Sequence, residues 1–243
     1  MPIDDARVER RTFFGDPALD DDLPAVNEAF WSALITHIER DGIQTVNSVL
    51  DVGCHTGGLL LKIARRFHPA LLVGIEPLAA ARSVAELRLA GAAEVVTLLV
   101  PAQWPRVQQG SCDLITSHET LYLEPDLGAF MTRIRVSLAK SGVAYVVLGC
   151  HTENPLWPQW KLPIIGEGHQ VYDYAPLDIM AAATGVGLLP SVQPLRRAGW
   201  VTYDPVQAVF PYPDIKTMFD HHYRHKLIFR LRIADDETSA TGD

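Results

Sequence analysis

From residue 48 onward, short apolar runs alternate with stretches in which apolar residues recur every three or four positions. Runs at 48–52 (SVLDV), 71–75 (LLVGI), 94–99 (EVVTLL), 112–117 (CDLITS) and 142–149 (GVAYVVLG) predict strands, and the stretches at about 58–67, 78–89 and 126–138 predict helices. Strands that alternate with amphipathic helices imply βαβ units around a parallel sheet covered on both faces. Ahead of them, 24–40 reads as a helix with Phe30, Leu34 and Ile38 at helical spacing, preceded by a loose Asp- and Arg-rich arm over 1–23. After Cys150, the Pro and Gly of HTENPLWPQWKLPIIGEGHQVYDYA predict an irregular segment. A helix at 176–184 follows, then a strand over 188–201 broken by Pro190 and Pro194, a short helix at 214–222 and a last strand at 226–233. No linker-like stretch divides the chain, so the 243 residues form one structural domain.

Composition changes this picture little. With 48% hydrophobic and 21% charged residues, the chain is an ordinary globular protein. A formal net charge of −8 argues against a partner bound by neutralising many phosphates, so no nucleic acid is expected. The charged start MPIDDARVERR lacks the apolar core of a secretory peptide, and no run approaches the roughly 18 apolar residues of a membrane span. A cytoplasmic location without membrane attachment is the expectation. Cys54, Cys112 and Cys150 are too few and too scattered for a disulfide framework or a thiolate zinc site.

The candidate chemistry begins at Asp51-Val52-Gly53-Cys54-His55-Thr56-Gly57-Gly58, where the first strand turns into a helix. In an open parallel sheet, ligands sit outside the carboxyl ends of the strands. The spacing is not the G-x-G-x-x-G of a dinucleotide site. Asp51 would repel a pyrophosphate and would favour a ligand carrying an ammonium group.

This turn resembles motif I, D/E-x-G-x-G-x-G, of the class I S-adenosylmethionine-dependent methyltransferases. Further stretches resemble the family in order: VGIEP, with Glu76 at the end of the second strand; CDLITSHETLYLEPD, with Asp113 opening the fourth; and SLAKSGVAYVVLG, which keeps only Gly142 of the L-x-P-G-G turn. The closing hairpin is similar too, and the likeness spans about 45–235. It implies a Rossmann-like doubly wound sheet of seven strands, mostly parallel with one antiparallel strand, and S-adenosylmethionine as cofactor, leaving as S-adenosylhomocysteine. It also implies a division into an arm and lid helix over 1–44 and a methyltransferase domain over 45–243, with a substrate-covering insertion at about 151–175.

By the same resemblance, Asp51, Gly53, Cys54, His55, Gly57, Glu76, Pro77, Ala102, Gln103, Ser117 and His118 contact the cofactor. Glu76 holds both ribose hydroxyls, a task that suits a carboxylate. Two positions depart from the pattern: His55 replaces the middle glycine, and Pro101 stands where an acid usually reads the adenine. His55 either points outward from a backbone that needs no positive φ or lines the site. His118, Glu119 and Tyr122, beside the expected methyl group, are the candidate catalytic residues. Trp31, His151, Trp157, Trp160 and Tyr172 are the candidate acceptor-binding residues, since small-molecule pockets are mostly apolar and aromatic with a few polar groups.

His221, His222 and His225 read more readily as a solvated helix end than as a metal site, and no metal is expected. The leading reading is a small-molecule methyltransferase (EC 2.1.1) acting on O, N or S, with a role in secondary metabolism and a homodimer allowed. The alternatives are a non-catalytic cofactor-binding or interaction protein that keeps the fold and, more remotely, a nicotinamide oxidoreductase.

Overall fold

In the computed structural model, residues 13, 17–203 and 210–234 are described, without side-chain detail for 17–24. The elements in chain order are α1 (Pro17–Arg40), β1 (Ser48–Val52), α2 (Gly58–Phe67), β2 (Leu71–Ile75), α3 (Ala79–Leu89), β3 (Val95–Leu99), β4 (Cys112–His118), α4 (Leu127–Ser137), β5 (Leu138–Leu148), α5 (Trp157–Gly166), α6 (Pro176–Gly185), β6 (Leu188–Pro194), α7 (Ile215–Asp220) and β7 (Leu227–Ile233). Short 3₁₀ turns occupy Pro101–Arg106 and Leu121–Leu123, and a π-helical turn, His221–His225, links α7 to β7.

The seven strands form one sheet in the order β3-β2-β1-β4-β5-β7-β6. β7 runs antiparallel to both β5 and β6, and the other pairings are parallel. This is the Rossmann-like sheet with one antiparallel strand that the sequence implies. Strand order reverses between β1 and β4, which places a crevice beyond the carboxyl ends of those two strands.

Alternate residues of each strand feed opposite cores, as a pleated strand requires. Val49, Leu72, Leu114, Tyr145 and Val147 pack beneath α1, α2 and α3, with Leu34, Ile38 and Leu60 among their buried neighbours. Leu50, Val73, Ile115, Val146 and Phe229 pack beneath α4, α5 and α6, against Phe130, Trp157 and Ile179. The predicted apolar face of the first helix is therefore correct: Phe30, Leu34 and Ile38 are all buried.

Several expected boundaries move. The predicted arm over 1–23 is helical from Pro17, which can lead a helix because its absent N–H would be unpaired there; residues 1–12 and 14–16 lie outside the described residues. The irregular segment after Cys150 contains α5, and Pro158 falls in its first turn, where proline is tolerated. Asn154 Oδ1 accepts the Leu156 N–H, and Trp157, Trp160 and Ile164 turn their side chains into the core at helical spacing. β5 begins at Leu138, and the irregularity expected at Lys140-Ser141-Gly142 is absorbed as a bulge against β4. β6 stops at Pro194, short of the predicted 201. No helix among the described residues is long and apolar enough to cross a membrane.

Candidate active site

The turn after β1 is shaped by contacts that exclude side chains. Gly53 has φ +78°, and a Cβ there would overlap the Thr120 side chain, whose hydroxyl is hydrogen-bonded to Ser117. A Cβ at Gly58 would overlap the Trp31 ring, so α2 and α1 approach each other closely at this glycine. His55 has φ +46°, which corrects the expectation that its backbone needs no positive φ. The middle position of the motif keeps the left-handed conformation of the glycine it replaces, and an L-residue adopts that at a cost.

Strain at His55 has a visible partner. Its backbone N–H donates to Glu76 Oε2 at 3.0 Å, while the Leu78 N–H donates to Oε1 at 2.8 Å. Each carboxylate oxygen has two lone pairs, so one on each remains for a ligand hydroxyl. Glu76 is 4% exposed, and burial raises its pKa against the pull of these N–H groups, His55 and Arg82. A pair of vicinal hydroxyls fits this carboxylate.

At the end of β1, Asp51 accepts a hydrogen bond from the Thr116 hydroxyl at 2.7 Å. Burial pushes its pKa up to about 7, with the Thr116 bond lowering it and the nearby Glu76 raising it. A buried carboxyl so poised is suited to a cationic ligand, whose charge would favour the ionised form. Cys54, also buried, packs its sulfur beside Gly74 of β2. Pro77 lends its carbonyl, with that of Glu76, to Arg82 Nη1. Beyond β3, Gln103 turns its Oε1 back to the Val100 N–H at 3.2 Å, which closes the 3₁₀ turn, and Ala102 is exposed.

His118 ends β4 beneath α1, with its ring 6.4 Å from Phe30 and 6.4 Å from Trp31. Burial, reinforced by the Lys226 charge, holds its pKa well below the usual value, so it is neutral at pH 7. Its Nε2 has no hydrogen-bond partner among the described residues. Glu119, in the left-handed region at φ +55°, pairs with Lys226 Nζ at 2.7 Å and accepts the N–H of Gly149 at 2.7 Å and of Cys150 at 3.4 Å. These bonds commit it to tying the end of β4 to the end of β5. Tyr122 is a core residue packed 5.3 Å from Trp157, and burial raises its pKa well above that of a free phenol. Neither residue has the freedom of a general base.

The substrate candidates separate in the same way. Trp31 and Trp160 lie in the aromatic cluster beside His118 and His221. His151 is buried, with Nε2 within 2.7 Å of the His225 carbonyl. Trp157 is anchored through Nε1 to Asp173 and faces the core behind Tyr122, while Tyr172 stacks on Tyr174. Both meet Tyr122, just beyond the end of β4: Trp157 through its ring and Tyr172 through its N–H, which donates to the Tyr122 carbonyl at 2.8 Å.

His221 and His222 overturn the expected solvated helix end, being 3% and 4% exposed. The Lys226 N–H reaches the His221 carbonyl at 2.9 Å, a five-residue closure that widens the turn. His221, His222 and the Lys226 side chain are thereby all buried. Lys226 and Arg197, absent from the candidate residues, gather here about Phe30, which the sequence marks only as part of the apolar helix face; a lysine opening an apolar strand was the one signal for them. Among the described residues, no group of three or more His, Cys, Asp or Glu is placed to hold a metal.

A seven-stranded sheet of this order, with a glycine turn after β1 and a buried acid after β2, defines the class I methyltransferase architecture. Residues 26–190 match the family model for a methyltransferase domain, and the chain belongs to that family, the class I S-adenosylmethionine-dependent methyltransferases. No curated protein matches the sequence significantly. Among solved structures, the chain is similar to one from the Haloferax volcanii complex of the Trm112 methyltransferase activator with a methyltransferase, at 16% identity and TM-score 0.70, covering 93% of this chain and 98% of that one. It is also similar to geranyl diphosphate C-methyltransferase of Streptomyces coelicolor A3(2), solved with Mg²⁺, geranyl diphosphate and S-adenosylhomocysteine, at 17% identity and TM-score 0.65, over 93% of this chain and 89% of that one. A third is phosphoethanolamine N-methyltransferase 2 of Haemonchus contortus, solved with S-adenosylmethionine, at 15% identity and TM-score 0.58, over 84% and 52%.

Proposed function

We propose that the chain transfers a methyl group from S-adenosylmethionine to an oxygen, nitrogen or sulfur atom of a small molecule, in secondary metabolism, and releases S-adenosylhomocysteine. The observation that carries this reading is Glu76: a buried carboxylate fixed by two main-chain N–H groups beside the glycine turn, with a lone pair left on each oxygen. Asp51 would face the ammonium group; Gly53, Cys54, His55, Gly57 and Pro77 would line the amino-acid and ribose portions; Ala102, Gln103 and Ser117 would border the rest of the cofactor. The net charge of −8 supports a small-molecule acceptor over nucleic acid. We place the protein in the cytoplasm, with a homodimer allowed.

S-adenosylmethionine supplies a methyl group already activated on a sulfonium, so the chain's own residues need chiefly to orient the acceptor in line and to exclude water. His118 is the residue for that task. A neutral imidazole offers one N–H and one acceptor nitrogen, and Nε2, unpartnered at the end of β4, can fix the acceptor group. Glu119 keeps Lys226 and the β5 end in place, and we assign it and Tyr122 no proton transfer. Trp31 and Trp160 form the aromatic wall.

Incubating the protein with methyl-labelled S-adenosylmethionine and a panel of small acceptors tests the proposal. Label in an acceptor, with stoichiometric S-adenosylhomocysteine, supports it. Cofactor binding with no transfer to any acceptor class would favour a non-catalytic protein that keeps the fold.

A further inference from the structure

Phe30 sits as an apolar plug inside a shell of basic groups. Its ring stacks on the His222 imidazole, with centroids 5.1 Å apart and planes 10° from parallel. It meets His221 edge-on at 6.3 Å and His118 at 6.4 Å. Lys226 Nζ stands 4.1 Å from the ring centroid and the Arg197 guanidinium carbon 5.6 Å. Around this one ring, His118 Nε2, His222 Nδ1 and Arg197 Nε are all buried and have no hydrogen-bond partner among the described residues. Buried polar groups in folded proteins are nearly always paired, so three unpaired ones about a phenyl ring mark a place built for a ligand more polar than phenylalanine.

The charge of the shell narrows the ligand. Lys226 and Arg197 are cations, and the carboxylate bonded to the shell is that of Glu119, whose oxygens are already taken by Lys226, Gly149 and Cys150. The described shell therefore carries one positive charge in excess, inside a chain of net charge −8. Its imidazoles do not add to that charge, because burial foremost, and then the nearby cations, hold His118, His221 and His222 neutral. One excess positive charge matches one carboxylate better than a phosphate, which carries nearly two negative charges near neutrality.

We propose that the methyl acceptor is a small flat molecule bearing a single carboxylate, and that it displaces Phe30, laying its apolar body against His222 and giving its carboxylate to Arg197 and Lys226. This rests on the methyltransferase reading above. Phe30 holds the cations through cation–π contacts, and a carboxylate would replace these with stronger charge-assisted hydrogen bonds. Arg197 also donates to the Trp200 carbonyl at 2.8 Å through Nη2, which steadies it and leaves Nε for the ligand.

The test titrates the full chain, saturated with S-adenosylhomocysteine, with benzoate, salicylate and cinnamate, with the primary amide of each, and with phenyl phosphate, followed by tryptophan fluorescence and calorimetry. At least one carboxylate is expected to bind saturably and roughly tenfold or more tightly than its amide, as the loss of a charged hydrogen bond predicts. Arg197→Gln should weaken that carboxylate by a similar factor without altering S-adenosylhomocysteine affinity, and Phe30→Ala should tighten it. Amides binding as well as carboxylates, phenyl phosphate binding better than either, an unaffected Arg197→Gln variant, or no binding by any carboxylate would each overturn the inference. If S-adenosylhomocysteine binds and these results fail, the methyltransferase reading stands without the inference; if S-adenosylhomocysteine itself does not bind, both fall.

Discussion

Glu76 and Asp51 are both buried acids at the carboxyl ends of the adjacent strands β1 and β2, yet their surroundings prepare them for different partners. Glu76 is fixed by the N–H groups of His55 and Leu78, so Glu76→Ala is expected to weaken S-adenosylmethionine binding by about 1.5–3 kcal/mol, measured by calorimetry. Asp51, with a pKa of about 7, is ionised above that pH and neutral below it. Affinity for the cationic cofactor should therefore fall as pH drops through 7, a dependence that Asp51→Asn should remove. The sign for stability is opposite. The folded pKa lies above the ordinary 3.8, so the unliganded protein loses stability from this group as pH rises from about 4 to 7, by up to about 4 kcal/mol in equilibrium unfolding. At His118, whose pKa burial and the Lys226 charge hold well below the usual value, His118→Ala should raise the acceptor KM or lower turnover while S-adenosylhomocysteine affinity changes little. Asp51, Gly53 and Glu76 were legible in the sequence because strand ends and a glycine turn dictate them locally. That Phe30, Arg197, His222 and Lys226 gather at one place was not, because residues from α1, the stretch after β6 and the π turn meet only once the chain has folded.

The elements show the same division. Strands and helices with clean periodicity, β1 to β4 and α2 to α4, fall within a few residues of their predicted bounds. α5 was hidden by its two prolines, which read as breakers, although one lies in the tolerant first turn. The π turn was hidden because a widened turn has no hydrophobic period of its own. α1 matters most among the elements: its carboxyl end is tied to the sheet through Asp41, which accepts hydrogen bonds from the Tyr145 hydroxyl at 2.5 Å and from Arg230 at 2.9 Å. Ile38, fully buried one turn before that anchor, fastens it from beneath. Ile38→Ala should cost about 2–5 kcal/mol in denaturant unfolding, the range for opening a cavity in a packed core. A loss confined to α1, leaving the global transition unmoved, would show that the helix is a detachable lid.

At the scale of the molecule, a doubly wound sheet gathers the ends of β1, β2 and β4 at its switch point, and α1 closes Phe30 and Trp31 over them. The family was readable because several strand-end motifs occur in the order this topology needs. The proposed acceptor shell was not, because α1, the stretch after β6 and the turn before β7 bring its residues together from distant parts of the chain. The central claim is that the glycine turn and Glu76 hold S-adenosylmethionine, and calorimetric titration of the ligand-free protein with S-adenosylmethionine, S-adenosylhomocysteine and NAD tests it most directly. The account predicts saturable one-to-one binding of the two adenosyl compounds, weakened in Glu76→Ala, and none of NAD. A folded, ligand-free protein that binds neither adenosyl compound, or binds both equally well without Glu76, would contradict it.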